Sequence, residues 1–216
     1  MNDHISRIQR YREKLKDIYT IDIQYDQKQN KLYSHYNKII IILRPDYQEY
    51  DFEHELAHLE FLTQEIRIKY LYPKEEFFHE KELFVFSNTL LNVIYDIFVD
   101  AFLAENFLIP HSYFRKKVEI FKVYLGQIEK HLNISTVLLK IVRSSVEEYI
   151  EVLDMILKGK INGTSYVTKN KITDQREHIN RYLQRAGISN KFEWITYQTI
   201  YLREQRNNKD KGGTEI

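Results

Sequence analysis

The run Asp51-Phe52-Glu53-His54-Glu55-Leu56-Ala57-His58-Leu59 sets two histidines four positions apart, with a glutamate directly after the first. On an α-helix, side chains four apart lie one turn above another on the same face, so His54 and His58 can offer imidazoles to a single ion. Helical form is itself indicated. Phe52, Leu56, Leu59 and Leu62 recur at helical spacing, Asp51 suits an N-cap, and Pro45 closes whatever precedes it. Glu55 stands where a carboxylate can take a proton from water held on the ion. A hydrolytic zinc site needs three protein ligands and an open position for that water; this spacing supplies two of the three. A histidine at the edge of a core is more often simply hydrogen-bonded than bound to metal. The paired spacing with Glu55 beside it favours metal.

A second segment, Leu83 to Ile109, is apolar nearly all round but carries Asn88, Asn92, Asp96 and Asp100 at every fourth position. A helix sets these on one slowly drifting stripe, so a buried helix would present a narrow polar line to its neighbour. Buried carboxylates are unfavourable unless paired or bound to a metal. A stripe facing the histidine helix removes that penalty; a hydrogen-bond network between helices, with no metal, is the plainer alternative. His79 is the other candidate third ligand and would make a three-histidine site. Positions 79 and 96 stand about 25 Å apart along an unbroken helix, so both cannot bind one ion. His79 lies among Lys74, Glu75, Glu76, Glu80 and Lys81, the composition of a solvated first turn, and Asp96 is preferred. The segment is long enough to cross a bilayer. Its Asn and Asp residues and Glu105 interrupt it, and a buried helix without membrane contact is expected.

Together the two segments resemble the gluzincin branch of the zincin metallopeptidases. In that family a second helix brings an acidic third ligand, followed one turn later by an acidic residue that orients a ligating histidine. The resemblance puts Asp96 in the ligand place and Asp100 in the orienting place. Asn92-Val93-Ile94-Tyr95-Asp96-Ile97-Phe98-Val99-Asp100 also looks like the Asn-x-x-x-Asp signature of predicted metallopeptidases found near von Willebrand A-type proteins, which sets Asn92 beside the ligands. Aspartate replaces the usual gluzincin glutamate. Being one methylene shorter, it requires a closer approach of the helices, or another ligand. The metzincin extension is absent, since Phe61 and Gln64 stand where it needs Gly and a third His. The likeness covers about residues 20 to 106. It implies a Zn2+-dependent hydrolase acting on a peptide or protein substrate. Zinc would polarise the carbonyl, Glu55 would take the proton of the attacking water and return it to the leaving amine, and Asp100 would fix the tautomer of one histidine. A stabiliser of the developing oxyanion is also required, and His111, Tyr113 and Tyr95 stay open candidates.

The absence of cysteine excludes disulfides and cysteine-based zinc modules, leaving His and carboxylates as metal ligands. In 216 residues, 43% hydrophobic with 29% charged reads as a soluble globular chain, and six glycines with three prolines favour long helices. A net charge of +1 gives no general pull toward nucleic acid or membrane. The start, Met1-Asn2-Asp3-His4, lacks a basic-then-apolar leader, which points to a cytoplasmic protein.

Ile5, Ile8, Tyr11 and Leu15 mark a first helix. Extended runs follow at Tyr19–Tyr25, Leu32–Tyr36 and Lys38–Leu43, with Asp26–Asn30 as a polar turn. The block Ile39 to Ile42 is short and β-branched, which favours a buried strand. Strands ahead of the motif helix match the order of a zincin upper subdomain. By that likeness Leu32–Tyr36 would edge a cleft, where an extended peptide can add through main-chain hydrogen bonds. Past Pro110, Phe114, Val118, Phe121, Leu125 and Ile128 mark one buried helical face. A second long helix follows over 134–157, ended by Gly159, and Gly159–Lys171 is a loop. Two shorter helices are expected, about Asp174–Arg185 stopped by Gly187, and Lys191–Arg203 with Asn190 and Glu193 as a capping-box start. Phe192, Ile195, Thr199 and Leu202 would form the inner face of the last.

The expected fold is α+β and mostly helical: a small N-terminal β-sheet packed on the motif helix, zincin-like, over 1–109; a helical subdomain over 110–206; and a disordered tail over 207–216. One rival is a zincin-fold binding or regulatory module without peptidase activity. Glu55 counts against it, because a purely structural metal site has no use for a base. The other is a helical nucleic-acid binder using Lys116, Lys117 and the basic end from Arg203. Those charges are interleaved with acids, so a solvated surface is expected, and no nucleic-acid partner.

Overall fold

Ile39 to Leu43 are buried from end to end, as a β-branched run should be when both faces of its strand are covered. They form most of β3 (Lys38–Leu43), the centre of a three-stranded sheet ordered β1-β3-β2. In this computed structural model, residues 2–17, 19–27, 31–35, 38–62, 69–106, 109–160 and 175–211 are described. β1 (Thr20–Tyr25) pairs with β3 in parallel, Ile21 opposite Ile39; β2 (Lys31–His35) runs antiparallel, Leu32 opposite Ile41. β2 is therefore an edge strand, while Tyr36 and residues 28–30 of the expected turn lie outside the described residues.

By contact the chain divides into two units, Met1–Tyr70 with Trp194–Ile216, and Leu71–Glu193. In the first, alternation puts Ile39, Ile41 and Leu43 on one face of β3. There they join Ile8, Tyr11 and Leu15 of α1 (Asn2–Leu15) and Phe52, Leu56 and Leu59 of α2 (Glu49–Leu62) in one hydrophobic core. Arg12 ties α1 to β1, donating Nε and Nη2 to the Ile21 carbonyl at 3.3 and 3.2 Å. α2 packs on β2 and β3. It begins earlier than expected, so Asp51 sits inside its first turn and is not the cap. The Asp51 Oδ2 accepts from the Gln48 backbone N–H at 3.0 Å, the acid half of a capping box.

In the second unit, α3 (Glu82–Asn106) packs against α5 (Thr136–Leu157) and α6 (Gln175–Arg185), and α4 (His111–His131) lies along α5. The all-round apolar character of α3 explains its place: Phe86, Leu90, Ile94 and Ile97 are fully buried. By length and composition it could cross a membrane, but 56% of its most apolar stretch is buried inside the protein, as in a core helix. Because α3 belongs by contact with α4 to α6, the chain divides near 70 and 193, not after 109.

The class is the expected one, mostly helical with a small sheet. Two strands depart from expectation. β4 (Lys69–Pro73) and β5 (Phe192–Thr196) pair in a second sheet, although the pattern over 191–203 predicts a helix. The aromatic and β-branched side chains of Phe192, Trp194, Ile195 and Thr196 outweigh the cap-like Asn190 and Glu193. α7 (Tyr197–Lys211) starts afterwards, and Thr196 caps it by accepting from the Thr199 N–H at 3.4 Å. It carries residues 207–211 in helix where disorder was expected, and Leu202 is exposed instead of buried. Gly187 does stop α6, with φ 69° and the Ile188 N–H returning to the Leu183 carbonyl. Of the expected loop, residues 161–171 lie outside the described residues.

Candidate metal centre

α2 is buried on more sides than its amphipathic pattern predicts. Every residue from Phe52 to Ala57 is buried, including His54, Glu55 and Glu53, the last not singled out by the sequence. His58 is half-buried. One helical turn brings the two imidazoles edge to face, 4.9 Å between centroids at 89°. His54, His58 and Asp96 each offer one ligand atom, and these atoms lie within 4.8 Å of one another. The three can hold a metal ion. His79, the rival third ligand, sits exposed in the turn before α3 and is no part of this group.

The donor chemistry fits a metal with an open position. Two imidazole nitrogens and one carboxylate oxygen are the ligand count of a catalytic zinc site, and they also suit ferrous iron. Magnesium and calcium prefer oxygen alone.

The polar stripe of α3 is graded, not uniformly buried. Asn88 and Asn92 are exposed, Asp96 is half-buried and Asp100 fully buried. Each four-residue step overshoots a full turn by about 40°, so three steps carry the line roughly a third of the way round the helix. Its buried end meets partners that the sequence did not announce. Asp100 accepts from Lys117 Nζ on α4 at 3.0 Å (Oδ1) and 2.9 Å (Oδ2), and from the Tyr149 phenol on α5. Lys117 also donates to the Tyr149 oxygen at 3.3 Å and lies 5.0 Å from the centroid of the Tyr113 ring.

Lys117 is thus no solvated surface cation, since only 17% of its side chain is exposed. A signal existed: position 117 falls between Phe114 and Phe121 on the apolar stripe of α4, where a lysine needs a buried partner. Tyr149 gave a similar one, standing in the buried stripe of α5, where a phenol must find a hydrogen bond. Burial opposes the charge of Lys117, but Asp100, Tyr113 and Asp96 outweigh it and hold its pKa well above the ordinary lysine range. Burial raises the Tyr149 pKa, and Asp100 and Asp96 raise it further. The charge of Asp96 is therefore felt across this cluster. Of the oxyanion candidates, His111 is exposed, while Tyr113 and Tyr95 are half-buried.

A different buried histidine is fully engaged. His178 on α6 meets Glu148 Oε2 through Nε2 at 3.0 Å, and Arg181 Nη2 meets its Nδ1 at 2.9 Å. Arginine only donates, so Nδ1 accepts and the ring proton sits on Nε2, donated to Glu148. Tyr182 donates to the same carboxylate oxygen at 2.6 Å.

Comparison with protein families, curated proteins and solved structures finds no match to this chain.

Proposed function

We propose that this protein is a zinc-dependent metallopeptidase of gluzincin type, in which His54, His58 and Asp96 hold the metal and Glu55 is the general base. The convergence of three ligand atoms within 4.8 Å is the observation that carries this reading. Ferrous iron would suit the same atoms, but a glutamate directly after the first histidine favours hydrolysis. When bound, zinc would supply a Lewis acid and lower the pKa of coordinated water toward about 7. Glu55 takes a proton from the attacking water and delivers it to the leaving amine. The edge strand β2, on which α2 packs, offers main-chain groups to an extended peptide or protein substrate.

Metal analysis of the purified protein, with hydrolysis of a broad peptide library by wild type and Glu55→Gln, tests the proposal. Both should carry stoichiometric zinc, and cleavage should fall by about 10²–10⁴ in the variant, because glutamine keeps the shape but cannot accept the proton. Equal cleavage by the variant would place the activity elsewhere. Zinc in a wild type that cleaves nothing would turn the reading toward a binding or regulatory module.

A further inference from the structure

We propose that Lys117 is a positioning residue of the metal centre, acting with Tyr149 through Asp100 to hold the acidic end of α3 in place; this rests on the reading of His54, His58 and Asp96 as a metal site. Asp96 and Asp100 stand one turn apart on one helix. Asp100 is fully buried, and its two oxygens receive Lys117 from α4 and Tyr149 from α5. Three charge-assisted bonds to two other helices restrain α3 against rotation and sliding at that turn, and Asp96 moves with it. The restraint matters more for aspartate than for glutamate. The shorter side chain has one fewer rotatable bond, so the position of its oxygen depends more directly on the backbone.

The ammonium has a second effect. Two carboxylates one turn apart, one buried and one half-buried, disfavour each other's charge, and Lys117 supplies the opposing one. The fields of both aspartates reach Lys117 and Tyr149. With its charge answered by α4 and α5, Asp100 completes the packing of the helical unit while Asp96 carries negative charge toward the metal. Outer partners of this kind typically change metal affinity by about 10–100-fold.

The competing account is a core ion pair that serves folding alone, and three variants of the full chain separate the two. Zinc affinity is measured by chelator competition, ligand geometry by the visible spectrum of the cobalt-loaded protein, and stability as a thermal midpoint in EDTA. Lys117→Met should lower zinc affinity about 10–100-fold and alter the cobalt spectrum. Adding Asp100→Asn removes the stranded charge and should recover much of the midpoint, while zinc affinity stays low and the spectrum altered. Tyr149→Phe should shift both metal readouts in the same direction by a smaller factor. Should Lys117→Met fail to fold alone, the double variant and Tyr149→Phe give the decision. Wild-type zinc affinity and cobalt spectrum in those two would overturn the role of Lys117. A wild type that binds neither zinc nor cobalt would instead remove the metal reading itself, and this inference with it.

Discussion

His54 and His178 begin from the same circumstances and reach different chemistry. Each is buried on a helix and has a glutamate beside it in sequence. His178 has both ring nitrogens engaged, one by Glu148 and one by Arg181, and Tyr182 adds a donor to the same glutamate. In these contacts each donor meets an acceptor. His54, with His58 and Asp96, gathers three lone-pair donors within 4.8 Å. A cation is what such groups have in common. The cluster around Asp100 is of the matched kind, although it sits one turn from Asp96. Burial and acidity alone therefore do not mark a candidate ligand: Asp100 has both, and its oxygens are taken up by Lys117 and Tyr149.

Substitution of the histidines gives the largest contrast between these clusters. His54→Ala or His58→Ala should weaken zinc binding by about 10²-fold or more. A four-ligand zinc site is worth about 10–16 kcal/mol, roughly 3 kcal/mol for each ligand. His178→Ala should leave zinc affinity within about twofold of wild type, since His178 supplies none of the three ligand atoms and its ring nitrogens are taken up by Glu148 and Arg181. Chelator competition on the three proteins reads this directly. Loss of zinc in the His178 variant, or full retention in both others, would reverse the assignment.

The same His178→Ala protein should show its defect in stability. Truncation leaves Arg181 without its acceptor at Nδ1 and takes one donor from Glu148, which is worth about 1–3 kcal/mol for a buried group. Urea unfolding measures it. A midpoint equal to wild type would mean that solvent replaces the imidazole and that the cluster contributes little.

Much of this contrast was legible on one side only. The histidine spacing, the β-branched block at Ile39 to Ile42 and the stop at Gly187 are local patterns, and local geometry converts them directly into helix, strand and cap. The stripe from Asn88 to Asp100 was visible as four positions but not as a gradient, because its drift matters only once neighbouring helices define the buried side. Lys117 and Tyr149 reach Asp100 across 17 and 49 positions. Periodicity tells which face a helix buries, not which polar group the facing helix carries there. At Phe192 to Thr196 a capping signal competed with strand propensity, and pairing with β4 decided in favour of the strand.

The smallest expected effect separates the matched clusters from one another, and it appears in alkali. Lys117 and Tyr149 hold their protons more tightly in the folded chain. For the lysine, Asp100, Tyr113 and Asp96 outweigh the burial that opposes its charge; for the tyrosine, burial acts first, with Asp100 and Asp96 behind it. A raised pKa stabilises the fold fully below the ordinary values, 10.5 for lysine and 10.0 for tyrosine. That stabilisation is lost as pH rises through the folded values, because the unfolded chain releases protons that the folded chain retains. Stability should therefore decline above about pH 10, by up to about 1.4 kcal/mol per pH unit for each such group. Tyr149→Phe removes one of the two. It should be less stable than wild type near neutrality, having lost a hydrogen bond to a buried carboxylate, yet decline less steeply above about pH 10. His178→Ala keeps both Lys117 and Tyr149 and should run parallel to wild type throughout. Urea unfolding of the three proteins between about pH 8 and 11 draws the three curves. Parallel curves for wild type and Tyr149→Phe would show that Tyr149 titrates alike in both states. The cluster would then be open to solvent, and Asp100 could not serve as the fixed point from which Asp96 is placed.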